Sequence, residues 1–308
     1  MSKSGQTIFV TGATGFLGGH FLKSARAHCW KLRCLTRNPP SLILPNAEWV
    51  KGNLSTTGRW KEKLKGCSII VHLATCPLLE CERSPQKGCE IIIGGINRLF
   101  TIAEVYGIKR IILASTAEVY GSPKRLPITE STHLQPLSVY GFFKACADLY
   151  ALKHAETRGL SLCILRFFNL YGRAINGSLP SNVLSLFAQR IIRGKSIILH
   201  ASFQNSRDFL HVQDAARALL LAIHNKKAEG IINIGSGKET TLQEAARQLS
   251  HLANQRFSID FRPNEGRLRC MVADTHLAYR VLNFKSKVSL EFGLREVLDG
   301  ASDSTSKN

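Results

Sequence analysis

Residues 11–20 read Thr11-Gly12-Ala13-Thr14-Gly15-Phe16-Leu17-Gly18-Gly19-His20, directly after the apolar run Thr7-Ile8-Phe9-Val10 and ahead of an apolar helical stretch. Glycines at 12, 15 and 18 permit a tight turn, close backbone approach to a pyrophosphate and packing of the helix on the strand. The start of the helix adds unpaired N–H groups for an anion. A strand before and a helix after are the context that turns a glycine trio into a dinucleotide-binding signal. Outward from this turn come further continuous apolar runs: Leu32 to Leu35, Ser68 to Val71, Ile111 to Ala114 and Leu162 to Leu165. Gly94–Tyr106 and Tyr140–Arg158 carry helical spacing between them. Continuous apolar runs bounded by helices mark a parallel sheet covered on both faces. The pattern predicts an α/β fold, a Rossmann-type doubly wound parallel sheet.

Beyond Gly172 the pattern loosens, with loop chemistry at Asn176-Gly177-Ser178 and Asn205-Ser206, then a helix from Val212 to His224. A smaller C-terminal substrate domain is expected there. The expected division gives 1–172 to the dinucleotide-binding domain, with 206–235 returning to pack on it. It gives 173–205 and 236–300 to the substrate domain and leaves the small, polar 301–308 as a fraying tail.

Composition narrows the classes. The 308 residues are 44% hydrophobic and 20% charged, which is globular and excludes a collagen, a disulfide scaffold or a disordered chain. The longest apolar runs fall far short of the roughly 18 residues that span a bilayer. Met1 to Gly5 shows no secretory signal, so a cytoplasmic protein is expected. Nine cysteines, at 29, 34, 67, 76, 81, 89, 146, 163 and 270, include no CxxC pair. Reduced thiols are expected, and no metal site. The formal charge is +19, and a surplus of that size attracts polyanions. Lys and Arg are nevertheless dispersed, with no block of five like charges, so neither nucleic acid nor membrane is an expected partner.

The choice of dinucleotide falls at the end of the second apolar run, where an acid would accept the ribose hydroxyls of NAD. Leu35-Thr36-Arg37-Asn38 has none. Thr36 and Arg37 offer a hydroxyl and a guanidinium, a pair suited to a 2′-phosphate, which favours NADP over NAD.

With these residues in place, the chain resembles the extended short-chain dehydrogenases/reductases, and among them the nucleotide-sugar epimerases and dehydratases. The resemblance rests on TGATGFLG at 11–18, HLAT at 72–75, STAEVYG at 115–121, Tyr140 to Lys144, LRFFNLYG at 165–172, Arg207 to Val212 with Asp214, and Asn233 to Gly237. It implies a seven-stranded sheet, a nucleotide-sugar substrate and a homodimer built on the tyrosine helix and the helix through Asn97. It implies cofactor contacts from Gly12, Thr14, Gly15, Phe16, Leu17, Gly18, Thr36, Arg37, Asn53, Leu54, Leu73, Ala74, Tyr140, Lys144 and Phe167. Thr75, Thr116, Asn169, Arg207 and Arg269 are implied to face the substrate. Arg207 matches the family's diphosphate binder, with Arg267 and Arg269 as weaker candidates.

The catalytic candidates are Thr116, Glu118, Tyr140 and Lys144. Tyr140 and Lys144 stand at i, i+4, on one face of a helix. An adjacent ammonium is expected to lower a phenol whose ordinary pKa is near 10, letting Tyr140 exchange a proton with a sugar hydroxyl. Glu118 follows Thr116 by two and shares its face if the strand period persists. A carboxylate there suits removal of the hydrogen on carbon 5 beside a carbon 4 already oxidised, with departure of the carbon 6 hydroxyl, as in 4,6-dehydration; the Ser-Thr-x-Glu-x-Tyr-Gly string also resembles that of UDP-glucuronate decarboxylases. Ala117 stands where dTDP-glucose dehydratases carry an Asp, which leaves the GDP-mannose type and the UDP-glucuronate decarboxylases closer.

Other positions depart from the family. Asn53 replaces the usual Asp at the adenine, Ile91-Ile92-Ile93-Gly94-Gly95 lacks the usual Asn, and Ala201-Ser202-Phe203 replaces a Gly-Asp-Gly. Two further readings compete: an NADPH-dependent reductase of a keto sugar or small ketone, and a non-catalytic or RNA-binding descendant of the fold.

Overall fold

The computed structural model of the protein describes residues 5–40, 45–175, 182–199, 205–261 and 269–305. In chain order the strands are β1 (Thr7–Thr11), β2 (Lys31–Thr36), β3 (Ala47–Lys51), β4 (Ile69–His72), β5 (Arg110–Thr116), β6 (Ser161–Phe167), β7 (Leu170–Tyr171), β8 (Ile197–Leu199), β9 (Ser206–Arg207), β10 (Leu210–His211), β11 (Gly230–Ile234), β12 (Thr240–Thr241), β13 (Ile259–Phe261) and β14 (Cys270–Met271). The helices are α1 (Phe16–Ala25), α2 (Leu78–Arg83), α3 (Pro85–Cys89), α4 (Gly95–Val105), α5 (Val139–Arg158), α6 (Val183–Ile192), α7 (Val212–His224), α8 (Leu242–Leu252), α9 (His276–Leu282) and α10 (Leu290–Thr305). Among the described residues no helix is long and apolar enough to cross a membrane.

Seven strands form one sheet in the order β11-β6-β5-β4-β1-β2-β3. The pairs β1–β2, β2–β3, β1–β4 and β4–β5 are parallel. Chain order runs one way from β1 to β3 and the other way from β4 to β11, so the sheet reverses between β1 and β4. In open α/β sheets, ligands bind at the carboxyl ends of the strands beside such a reversal. The doubly wound sheet read from the apolar runs is therefore present.

Two compact units account for the contacts. One comprises residues 1–121, 134–166 and 216–232; the other comprises 122–133, 167–215 and 233–308. The first is built on a buried apolar core that includes Phe9, Ile70, Phe100, Ile111, Leu113 and Ile164. Here the apolar runs of the sequence become strands because both faces are covered by helices. Arg110, buried at the start of β5, donates to the carbonyls of Ala222, Asn225, Lys226 and Ala228. A guanidinium there answers the unpaired carbonyls at the C-terminal end of α7. The second unit gathers around Tyr171, Leu184, Phe187, Leu249, Leu294 and Val297. Segment 122–133 falls in this second unit, and α10 continues to Thr305 through residues expected to fray.

Residues 90–94, where the family's Asn is missing, make one π turn ahead of α4. A π turn leaves backbone carbonyls without their usual partners. Arg98 compensates, donating from Nη2 to Glu90 O at 3.2 Å and from Nε to Leu54 O at 2.5 Å.

Candidate active site

The glycine turn closes as its sequence requires. Gly15 N–H donates to Gly12 O at 3.0 Å, and α1 starts from Gly15 with no side chain capping it. Its first N–H groups are left for an anion. Gly12 has φ +71°, and a Cβ there would lie 2.5 Å from Ala74 N and 2.6 Å from the Leu73 carbonyl carbon. The turn thus lies against Leu73 and Ala74, just past the end of β4, which a side chain would prevent. A Cβ at Gly18 would likewise run into Ala13 at 2.7 Å, so the helix and the turn meet without one. This cradle fits the diphosphate of a dinucleotide.

Behind it, Ala74 N–H donates to Thr11 Oγ1 at 3.3 Å, and Thr11 Oγ1 lies 2.7 Å from His72 Nδ1. Burial, with Lys144 adding, pushes His72 down to about 3. The ring is neutral, and its Nδ1 shares one hydrogen bond with the threonine hydroxyl.

At the outer end of β2, Thr36 is buried and donates its hydroxyl to Asn38 O at 3.1 Å, whereas Arg37 is exposed. The two do not form the paired grip expected from sequence, because the threonine proton is taken by its own loop. Arg37 stands within electrostatic reach of Lys87 instead. Asn53 is exposed and turns its Oδ1 to Ser55 N–H at 3.0 Å, while Leu54 beside it is buried.

The four catalytic candidates lie in one unit, on the end of β5 and the first turns of α5. Ser138 caps α5 by accepting from Gly141 N–H at 3.0 Å. A Cβ on Gly141 would sit 2.8 Å from Glu118 O, so the glycine after Tyr140 lets α5 rest on the backbone of Glu118. Lys144 is buried and donates to Ala114 O at 2.6 Å. Tyr140 is half-buried, and Thr75, the last residue of the HLAT motif, acts to lower its pKa.

Two expectations are corrected here. The strand period does not reach Glu118: β5 stops at Thr116, whose hydroxyl accepts from Glu118 N–H at 3.2 Å and caps a 3-10 turn over Ala117–Tyr120. Glu118 still acts on Tyr140 electrostatically, but from the turn and not from a shared strand face. The second correction concerns Tyr140, which stands above the ordinary phenol value. Burial raises it, with further contributions from Glu118, Cys81 and Asp148, against which Thr75 lowers it. The ammonium expected to lower it is itself disfavoured by burial, although Asp148 opposes that, and it is turned to Ala114 O.

In the second unit, β14 runs parallel to β9 and brings Arg207 and Arg269 together. Arg207 Nη1 donates to Ser206 O at 2.8 Å and to Arg269 O at 2.7 Å. Asn169 Nδ2 donates to Asp208 O at 3.2 Å. Asp208 is buried and accepts from Ser236 N–H, Gly237 N–H and Ala273 N–H at 2.7, 2.9 and 3.1 Å. The acid that follows Arg207 is thus a staple holding two backbone segments, 236–237 and 273, and Asp214 likewise holds the segment at Lys287 and Val288. Phe167 is buried at the end of β6. Arg267 and Ala201 to Phe203 lie outside the described residues.

The profile of the NAD dependent epimerase/dehydratase family matches residues 8–235. The chain belongs to this family. A provisionally named UDP-glucose 4-epimerase of Methanocaldococcus jannaschii is 28% identical over 299 residues, 95% of this chain and 97% of that one. The structure of a UDP-glucose 4-epimerase from Thermotoga maritima with UDP-glucose is similar with a TM-score of 0.85 at 25% identity, covering 97% of this chain and all of that one. The structure of MoeE5 with UDP-glucuronic acid and NAD reaches a TM-score of 0.87 at 27% identity, covering 97% and 99%. This protein is accordingly an NAD-dependent enzyme of the nucleotide-sugar epimerase/dehydratase kind.

Spacing alone assigns no role to Ser115, Tyr120, Asp148 or Arg166, which the structure joins beneath Tyr140 and Lys144. Asp148 four residues beyond Lys144, and an Arg inside the LRFF strand, were the available signals.

Proposed function

We propose that the enzyme acts on a UDP-linked hexose or hexuronate, oxidising carbon 4 transiently, with the cofactor restored in every cycle. UDP-sugars bound in the two similar structures support the substrate class. The observation that carries the reading is the joining of Thr116, Tyr140 and Lys144 through Ala114, Gly141 and the Glu118 backbone at the end of β5. A bound nicotinamide supplies a hydride acceptor and, when oxidised, a positive charge. Tyr140 takes the proton of the carbon 4 hydroxyl, Thr116 hydrogen-bonds that oxygen, and Lys144 offsets the phenolate charge and holds the ribose. Glu118 supplies the carboxylate for loss of water or carbon dioxide. Arg207 and Arg269 hold the substrate diphosphate on the strand edge of a C-terminal substrate domain. Incubation with UDP-sugars and catalytic cofactor tests the reading: a product altered at carbon 4, 5 or 6 with no net change in NAD(P)H absorbance supports it.

Arg37 carries the cofactor preference. An exposed guanidinium with Lys87 nearby suits a 2′-phosphate, which gains a charge-assisted pair that a hydroxyl does not make. NADP(H) is expected to bind more tightly than NAD(H), by roughly tenfold or more for a charge-assisted bond. Arg37→Ala should erase most of the gap in calorimetric titrations; equal affinities in the parent protein contradict this. The same observation favours the second reading, a keto-sugar reductase, whose mark is stoichiometric NADPH consumption.

A homodimer is proposed on α5 and α4. Phe142 and Leu149, seven residues apart on α5, are 55% and 56% exposed, and Val105 on α4 is 74% exposed. Tyr150 donates to Asn97 Oδ1 at 2.5 Å, tying the two helices together. Apolar side chains at helical spacing on one outer face are what a second copy of the helix pair would cover. Light scattering at micromolar concentration should give twice the 34.1 kDa chain mass, and Leu149→Glu should give the monomer.

A further inference from the structure

Under Tyr140 and Lys144 lies a charged network centred on Asp148, which lies outside the quoted motifs. Asp148, one turn beyond Lys144 on α5, is fully buried, and so is Arg166 on β6. Asp148 Oδ2 accepts from Ser115 Oγ at 2.9 Å and from Arg166 Nε at 2.9 Å. Arg166 Nη1 donates to the Tyr120 hydroxyl at 2.9 Å, with the guanidinium 4.9 Å from the centre of that ring. Ser115 stands between Ala114, whose carbonyl holds Lys144, and Thr116, whose hydroxyl caps the turn. Tyr120 ends the same turn. One carboxylate thereby fixes both ends of the segment bearing Thr116 and Glu118 to the helix bearing Tyr140 and Lys144.

A buried ion pair loses so much hydration that apolar residues of equal volume often stabilise a fold as well or better. Stability alone is therefore a weak reason for this network. We infer that Asp148 is a positioning residue for the reaction: through Ser115 and Arg166 it sets where Tyr140 and Lys144 meet the reacting hydroxyl, and it places a negative charge behind them. This rests on the catalytic reading of Tyr140 and Lys144 given above.

The titratable groups around the pair are Asp148 on α5, His72 on β4, Glu118 on the 3-10 turn, Cys81 on α2 and Arg166 on β6. Asp148 raises both Lys144 and Tyr140, against burial at the lysine and along with it at the tyrosine. Removing one negative charge favours proton loss from every neighbour. Both limbs of the profile of kcat against pH should then move to lower pH.

In Asp148→Asn, kcat is expected to fall about tenfold or more with KM within about threefold, and both limbs should shift down by about half a pH unit or more. Asp148→Glu, which keeps the charge, should return the limbs to their parent positions. Unmoved limbs in a folded Asp148→Asn overturn the inference. Tyr140→Phe measured alongside separates the two levels: full turnover there removes the catalytic reading itself, whereas an inactive Tyr140→Phe beside an unshifted Asp148→Asn removes only the role of Asp148. If Asp148→Asn does not fold, Ser115→Ala deletes one donor and no charge. A severalfold fall in kcat at unchanged Tm supports positioning, and an unchanged kcat overturns it.

Discussion

Tyr140→Phe removes turnover and leaves the cofactor bound. The ring keeps its packing, while the hydroxyl that would exchange a proton with the sugar is gone. General acid–base groups contribute roughly a hundredfold to ten-thousandfold, and a loss in that range is expected here. The direction of the Tyr140 shift sharpens the expectation. Burial holds the phenol above its ordinary value and Glu118 adds to this, so the phenolate forms only when positive charge is brought to it. An oxidised nicotinamide, when bound, would supply such a charge. Rate should therefore rise with pH in the parent enzyme, through the range where Tyr140 loses its proton, and the variant should show no such rise. Cofactor content, measured after denaturing the purified variant, should equal that of the parent. Turnover within threefold of the parent, a margin of about 0.7 kcal/mol, would remove Tyr140 from the mechanism.

The glycine turn and the apolar runs carried the sheet because each is a local requirement. Gly12 cannot bear a Cβ against Ala74, and a strand buried on both faces has to be apolar along its length. Helix α5 was equally plain from its spacing. What the sequence hid was produced by chain segments meeting from far apart. Thr116 and Glu118 look like neighbours on one strand face until the threonine hydroxyl captures the Glu118 N–H and turns the chain. Thr36 looks like a phosphate ligand until its proton goes to Asn38 O. Lys144 should have lowered Tyr140 by proximity, but burial acts on both groups and raises the phenol. Ser115, Tyr120, Asp148 and Arg166 come from three separate segments, and only the packing of β5, α5 and β6 makes them a network. The stretch without the usual Asn ahead of α4 makes a π turn, with Arg98 donating to the Glu90 carbonyl, which its sequence did not announce.

Glu118→Gln should divide the reaction in two. If the enzyme removes water or carbon dioxide after oxidising carbon 4, the first hydride transfer requires Thr116, Tyr140 and Lys144 but no carboxylate. In the second half the 4-keto group accepts the electron pair of the bond broken at carbon 5. In dehydration Glu118 takes the carbon 5 proton and passes it to the carbon 6 hydroxyl, which leaves as water. In decarboxylation the pair of the carbon–carboxylate bond moves to the ketone as carbon dioxide leaves, after which protonated Glu118 returns a proton to carbon 5. The 3-10 turn sets the Glu118 backbone carbonyl against Gly141, and the Glu118 charge is felt at Tyr140. The amide keeps the shape and removes the charge. Reduced cofactor should then accumulate on the variant, seen as a stable near-ultraviolet absorbance equal to the enzyme concentration, while product formation falls roughly a hundredfold or more. A second effect runs the other way: removing the Glu118 charge lowers Tyr140, so the first half-reaction should become faster at a given pH below the Tyr140 titration. A variant that turns over at the parent rate and yields a product of unchanged mass would make the enzyme a plain epimerase, with Glu118 holding a sugar hydroxyl.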